Sequence, residues 1–244
     1  MVDRIDPRTI AGAATAPVKT ADIAFDAGQR SYMLSVYNYM ASGVLLTGIV
    51  ALLFARSGAA AQVLGGPGIL KYIIMLAPLA FVMVLSFGIT KLSTWTAQLL
   101  FWAFAVVMGL SLASIFLVYT GTSIATTFVA TAAAFAGLSL WGYTTKRDLS
   151  ALGTFLIMGV VGLLVALVIN MFMRSTGLQL IISFAGVLLF AGLTAYDTQR
   201  IKSMYADVAG SDMMAKSVIM GALSLYLDFV NMFMFLLRLT GNQR

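Results

Sequence analysis

Long apolar stretches separated by short polar breaks run through the chain from about residue 35 to residue 240. A hydrocarbon core about 30 Å thick is crossed by roughly 20 helical residues. Seven of the stretches reach that length, near 35–55, 70–90, 97–119, 122–143, 151–173, 178–199 and 214–238. The pattern predicts an all-α integral membrane protein. We expect a cytoplasmic N-terminal tail at 1–34 and a seven-helix transmembrane domain at 35–240.

Most of the positive charges lie in the tail and in alternate breaks between the spans. With the N-terminus in the cytoplasm, about two thirds of the Lys and Arg residues become cytoplasmic, as the positive-inside rule expects. These are Arg4, Arg8, Lys19, Arg30, Lys91, Lys146, Arg147, Arg200, Lys202 and Lys216. Seven spans then place the C-terminus outside. Because the charges flank spans and form no stripe, we expect the lipid bilayer as partner and no nucleic acid.

Composition narrows the chemistry further. The chain is 61% hydrophobic and 10% charged, and it contains no cysteine and no histidine. Thiolate nucleophiles, histidine bases and sites built from cysteine or histidine metal ligands are therefore excluded. Every acidic residue is Asp. With neither histidine nor cysteine, proton and cation chemistry falls to the aspartates, and we expect no enzyme and no cofactor.

The last predicted span carries a polar stripe. Small or polar residues recur at steps of four, three, four and three, which places them on one helical face: Ser217, Gly221, Ser224, Asp228 and Asn231. Such a stripe on an apolar helix points into a bundle, where helices approach closely and polar groups find partners. The seventh helix is therefore predicted to be central.

Two aspartates interrupt apolar spans, Asp228 in the seventh and Asp197 near the end of the sixth. A charged Asp at the centre of a spanning helix costs roughly 2.5–3.5 kcal/mol on insertion scales, so such acids mark ion paths, proton relays or buried partners. The alternatives are that Asp228 only fastens helices through Asn231 and Ser224, and that Asp197 is simply solvated. Spacing alone leaves contact between the two open.

Two stretches match a known signature. Residues 195–201 read Ala-Tyr-Asp-Thr-Gln-Arg-Ile, and residues 222–233 read Ala-Leu-Ser-Leu-Tyr-Leu-Asp-Phe-Val-Asn-Met-Phe, followed by Leu-Leu-Arg at 236–238. Together they closely resemble the Bax inhibitor-1 family in its bacterial YccA-like branch. The resemblance also includes Lys-Arg-Asp-Leu-Ser at 146–150 and covers most of residues 30–240.

The resemblance implies a last helix enclosed by the other six, in a bacterial inner membrane. It also implies that Asp197 and Asp228 form a paired-carboxylate sensor linked to pH-dependent calcium leak. Some bacterial relatives are linked instead to restraint of a membrane-bound protease. This chain departs from the leak pattern because its second span has no Glu and only Lys91 stands near the expected basic cluster.

The leading hypothesis is a pH-sensitive cation (calcium) leak channel or sensor. Two carboxylates at close range in a low dielectric cannot both ionise cheaply, so they are expected to share a proton. Calcium prefers several oxygen ligands, and the pair supplemented by other groups supplies a weak site. We expect Asn231, Ser224, Tyr196 and Lys91 as supporting residues.

Two rival functions follow from the same residues. One is a non-catalytic modulator of a membrane-bound protease, in which the aspartates are structural and the tail at 1–34 makes the contact. The other is an intramembrane aspartyl protease, in which paired aspartates activate water. Against that enzyme, residues 225–227 read Leu-Tyr-Leu where such proteases carry Gly-x-Gly, and no later Pro-Ala-Leu element exists.

Overall fold

A computed structural model describes the backbone of residues 16–244 and the side chains from residue 22 onward. Nine helices form the described chain. They are α1 (Ala16–Arg56), α2 (Ala59–Gly65), α3 (Leu70–Gly88), α4 (Thr94–Leu112), α5 (Ile115–Val118), α6 (Gly121–Thr144), α7 (Ser150–Met173), α8 (Thr176–Val208) and α9 (Met213–Thr240). Within this range, seven helices are long and apolar enough to cross a membrane, with α4 and α5 acting as one. The predicted all-α, seven-span class is confirmed.

The first helix differs from its predicted bounds. It runs without a break from Ala16, and Tyr32, Met33 and Val36 are packed in the core. Residue 34, the predicted end of the tail, therefore lies within α1 and marks no break in the helix. The helix continues through this segment because one of its faces stays buried, although the charged residues of the segment lower its hydropathy. Residues 1–15 of the predicted tail lie outside the described residues, and its cytoplasmic location stays a prediction.

The sixth span also exceeds its predicted length. The polar stretch after Arg200 was expected to be a loop, but α8 continues to Val208. Its helical spacing persists, because Ile201 and Tyr205 lie four residues apart and are both buried. Tyr205 packs against Tyr32 and Phe25 of α1. Hydropathy marks where the apolar span ends, whereas burial of one face sets where the helix ends.

The last helix is central, as predicted. It packs chiefly on α8, α1, α6 and α4, while α3 packs on α4 and α7 packs on α8 at the periphery. Four helices therefore pack directly on α9, and the other two lie outside them. Ser217, Gly221 and Asp228 of the predicted stripe are buried, and Ser224 and Asn231 are half-buried. Leucines off the stripe are also buried, including Leu223, Leu225 and Leu237, so α9 is covered on nearly every side.

A short C-terminal segment closes one end of the bundle. The Thr120 N–H donates to the Asn242 carbonyl at 3.1 Å, and the Arg244 N–H donates to the Val118 carbonyl at 2.9 Å. The Asn242 N–H also donates to Ser123 Oγ at 3.0 Å. Because α6 begins at Gly121 and ends at Thr144, the C-terminal segment lies at the opposite end of the bundle from the 145–149 loop. Three spans, α7, α8 and α9, separate the loop from the C-terminal segment. An odd number of crossings places the two at opposite ends.

Candidate functional site

The two aspartates lie at the same level of a helical hairpin. Asp197 precedes the end of α8 by eleven residues, and Asp228 follows the start of α9 by fifteen. At 1.5 Å per residue these distances are about 17 Å and about 22 Å. Since the two helices run antiparallel from the turn at 209–212, the carboxyl groups meet across their interface. The extra turns of α8 beyond Arg200 make this register possible.

The carboxyl groups of Asp197 and Asp228 lie within hydrogen-bonding reach of each other. Asp228 is only 4% exposed, whereas Asp197 is half-buried. Within the described part of the chain, Asp228 Oδ2 is a buried oxygen with no hydrogen-bond donor. Buried polar atoms are nearly always paired, so an oxygen of this kind indicates a place for a proton or a cation. The structure thus joins the two residues that the sequence singled out.

The supporting residues predicted from the sequence occupy different places. Asn231 Nδ2 donates to the Leu227 carbonyl at 2.9 Å, and Ser224 lies one turn before Asp228. Tyr196 packs its ring on Gly153 of α7. Lys91 is exposed in the turn between α3 and α4. The cation whose charge acts on Asp197 is Arg200, one helical turn further along α8.

A chain of hydroxyl groups, which sequence reasoning missed, ends at Thr198, the residue that follows Asp197 in α8. Thr198 Oγ1 donates to the Thr194 carbonyl at 2.7 Å and so accepts from Ser139 Oγ at 2.9 Å. Ser139 in turn accepts from Tyr37 Oη at 2.6 Å. Because each hydroxyl carries one hydrogen, the direction Tyr37 to Ser139 to Thr198 is fixed. The chain joins α1, α6 and α8 next to Asp197.

A cavity of about 330 Å³ lies between the loop after α6 and the 196–203 segment of α8. We call it the basic vestibule, and it is lined by Lys146, Arg147, Asp148, Ser150, Tyr196, Gln199, Arg200 and Ser203. Asp197 is not among these described lining residues, but its sequence neighbours Tyr196 and Arg200 are. The vestibule therefore lies close to Asp197 along α8.

The wall of the basic vestibule is fixed by Gln199. Its Oε1 accepts from the Leu149 N–H at 2.9 Å, and its Nε2 donates to the Arg147 carbonyl at 2.8 Å. Within this loop, hydrogen bonds from the Ser150 hydroxyl and backbone N–H lower the pKa of Asp148 below the ordinary Asp value. The loop between α6 and α7 is therefore held against α8 and does not hang free.

The oxygen donors at the pair are few. Calcium takes six to eight oxygen ligands, and the pair supplies at most four carboxylate oxygens. Among the described residues, no group of three or more Asp, Glu, His or Cys side chains is placed to hold a metal ion. The remaining ligands would have to be water, backbone carbonyls or the Asn231 amide. Residues of this kind fit a weakly held, exchangeable cation.

Comparison with known proteins identifies the family. The family described as "Inhibitor of apoptosis-promoting Bax1" matches residues 29–244. This chain belongs to the Bax inhibitor-1 family. Among its relatives, the "Inner membrane protein YbhL" of Escherichia coli (strain K12) is 45% identical over 220 residues, covering 89% of this chain and 94% of the relative. The resemblance drawn from 195–201 and 222–238 is thereby confirmed.

Further Bax inhibitor-1 relatives come from distant bacteria. "Uncharacterized protein RP147" of Rickettsia prowazekii (strain Madrid E) is 44% identical over 220 residues, covering 90% of this chain and 93% of the relative. "Uncharacterized membrane protein SpyM3_0260" of Streptococcus pyogenes serotype M3 is 34% identical over 218 residues, covering 88% and 94%. With the seven apolar helices, these matches show a multi-pass membrane protein of the Bax inhibitor-1 family.

Proposed function

We propose that this protein is a pH-sensitive cation leak channel or sensor of the bacterial inner membrane, with calcium as its cation. In this proposal the pair Asp197–Asp228 is the site at which protons and calcium compete. The observation that carries it is the meeting of the two carboxyl groups, one of them enclosed with an orphaned oxygen.

Competition follows from the charge on the pair. Two adjacent carboxylates repel strongly in a low dielectric, and a shared proton or a divalent cation relieves that repulsion. When the proton leaves, two negative charges face one calcium ion, so calcium binding strengthens as pH rises. When the proton returns, the pair holds itself together and the cation is released. The site therefore couples cation occupancy to pH.

The access route is asymmetric. Asp197 is half-buried and its neighbours Tyr196 and Arg200 line the basic vestibule, while Asp228 is enclosed by α9 and its neighbours. We infer that protons and cations reach the pair through Asp197, with the positive residues of the basic vestibule opposing cation entry. Such opposition keeps a leak small. We further propose that the vestibule faces the cytoplasm, in keeping with the distribution of Lys and Arg.

Calcium flux into proteoliposomes tests the proposal. Purified wild-type protein and the variants Asp197→Asn and Asp228→Asn are compared between about pH 6 and pH 8, above the ordinary Asp pKa of about 3.9. We expect the wild-type flux to depend on pH and both variants to lose that dependence. The double variant should add little, since either change already breaks a shared site.

Asp207→Asn is the matched control, because Asp207 is an exposed aspartate of α8, the helix that carries Asp197. It should behave as the wild type does. Unchanged pH dependence in both single variants would refute the proposal. That result would make the aspartates structural and favour the rival function, a non-catalytic modulator of a membrane-bound protease.

A further inference from the structure

A lateral groove separates α1 from α6. Both helices pack on α9, yet between them lies a cavity of about 850 Å³. Phe229 of α9 contributes to the lining, and exposed apolar residues such as Leu34, Leu45 and Leu140 contribute to the walls. We call this cavity the α1–α6 groove. An apolar groove on the outside of a membrane bundle faces lipid.

One end of the α1–α6 groove is polar and positively charged. Arg30, exposed at this end, is the one charged residue among the described lining residues, and Tyr37 and Tyr143 lie near it. Behind Tyr143, Lys202 Nζ donates to the Tyr143 carbonyl at 3.0 Å and lies 4.5 Å from the centre of its ring. Arginine, lysine and tyrosine together are typical of the headgroup level of a membrane. The opposite end, at Leu45 and Phe128, is apolar.

The length of the groove matches that of a lipid acyl chain. Leu45 follows Arg30 by fifteen residues in α1, which corresponds to roughly 22 Å of helix. Half of a hydrocarbon core about 30 Å thick is about 15 Å. The groove is therefore long enough to hold an acyl chain from one leaflet together with its headgroup.

We infer that the α1–α6 groove is a binding site for an anionic phospholipid. One acyl chain lies along the apolar walls against Phe229, and the phosphate group lies at Arg30. The negative charge of the phosphate complements the positive charge of Arg30, and the apolar walls complement the acyl chain. Tyr37 and Ser139, the first two hydroxyls of the chain beside Asp197, also line the groove.

Photo-crosslinking in proteoliposomes tests the site. The probe is phosphatidylglycerol with a diazirine in one acyl chain, and labelled peptides are mapped by mass spectrometry. Labelling should concentrate on residues 33–45 and 128–143 and exceed that of α7, whose side chains are also widely exposed. The same probe with a phosphatidylcholine headgroup should label the groove less.

Substitutions that fill the groove supply the control. Ala41 and Ala136 are exposed residues on opposite walls. Ala136→Trp, and separately Ala41→Trp, should lower groove labelling to the level of α7. Ala134→Trp is the matched control, because Ala134 is exposed on α6 about 200° away from Ala136 at 100° per residue. It should leave the labelling unchanged.

Arg30→Gln separates the headgroup from the chain. It should reduce the preference for phosphatidylglycerol over phosphatidylcholine about fivefold, which is what one cation contributes near an anionic membrane surface, while chain labelling persists. Labelling of α7 serves as the internal reference for folded, inserted protein. Even labelling of all lipid-facing helices would overturn the inference, as would equal losses in the Ala134→Trp and Ala136→Trp variants.

Discussion

Gly142 of α6 packs directly against the backbone of Ala195 in α8, two residues before Asp197. A Cβ atom at Gly142 would lie 2.9 Å from Ala195 Cα, closer than side chains approach a backbone. Ser139 lies one turn earlier on the same face of α6, and its Oγ reaches Thr198 Oγ1 at 2.9 Å. The missing side chain at Gly142 therefore lets α6 come close enough to complete the hydroxyl chain.

Substitution of this glycine is predicted to be costly. Gly142→Ala should lower stability by about 1–3 kcal/mol or more, the usual cost of overpacking, because the Ala195 backbone cannot move aside. Gly221→Ala is the control. Its Cβ would lie 3.0 Å from Ile201 Cγ2, a side-chain atom that can shift, and alanine gains about 1 kcal/mol of helix propensity over glycine.

Thermal unfolding in detergent measures both glycine variants. A larger loss for Gly221→Ala than for Gly142→Ala would show that α6 and α8 are not in backbone contact here. The readout does not depend on any assumed function.

The fold was largely predictable from the sequence, whereas its helix limits were not. Seven apolar stretches predicted seven spans, and the stripe around Asp228 predicted a central last helix. The polar segment after Arg200 was misread as a loop, because hydropathy falls there while Ile201 and Tyr205 still pack. That error hid the register that brings Asp197 level with Asp228.

The candidate site was predictable only in part. An acid within an apolar span is conspicuous because its burial is expensive, so Asp197 and Asp228 could be named. Tyr37, Ser139 and Thr198 are ordinary in membrane helices and come together from positions 102 and 59 residues apart. No local pattern marks such a group. The support expected from Lys91 stays a prediction, and the charge that acts on Asp197 from within α8 is that of Arg200.

Calcium should stabilise the folded protein in a pH-dependent way. A ligand that binds only the native state raises stability by RT ln(1 + [L]/Kd), so the melting temperature should rise with added calcium. The rise should be larger at higher pH, where the pair has lost its proton, and absent in Asp228→Asn. Melting curves with calcium at two pH values measure this effect.

Asp207→Asn controls for calcium bound at the surface and should retain the wild-type rise. If Asp228→Asn were stabilised as strongly as the wild type, calcium would bind elsewhere. Magnesium provides a further comparison, since it demands nearly ideal octahedral geometry and should stabilise less.

The hydroxyl of Tyr226 is predicted to fasten α9 to α1. Thr47 Oγ1 donates to the Ala105 carbonyl at 2.8 Å, so Tyr226 Oη donates to Thr47 Oγ1 at 2.7 Å. Tyr226→Phe leaves that acceptor unpaired and should cost about 0.6–1.5 kcal/mol. Tyr72→Phe, at an exposed tyrosine of α3, should leave the melting temperature unchanged. Equal effects of the two changes would contradict the assignment.

Topology is testable with reporter fusions. The 145–149 loop and the C-terminal segment lie at opposite ends of the bundle, so reporters placed there should report opposite sides of the membrane. We predict the cytoplasm for the loop and the exterior for the C-terminus, as the distribution of Lys and Arg favours. A fusion after Arg244 that reports the cytoplasm would reverse the orientation. Insertions in the 209–212 turn should report the same side as the loop.

The central position of α9 has a consequence for biosynthesis. This helix leaves the ribosome after the six spans that surround or flank it, yet it supplies the aromatic and leucine side chains on which α1, α4, α6 and α8 pack. A nascent chain that stalls before Met213 has inserted its earlier helices, but it lacks the central helix on which they pack. It also lacks Asp228, so Asp197 has no partner. The carboxylate pair is therefore created only when α9 joins the helices that precede it.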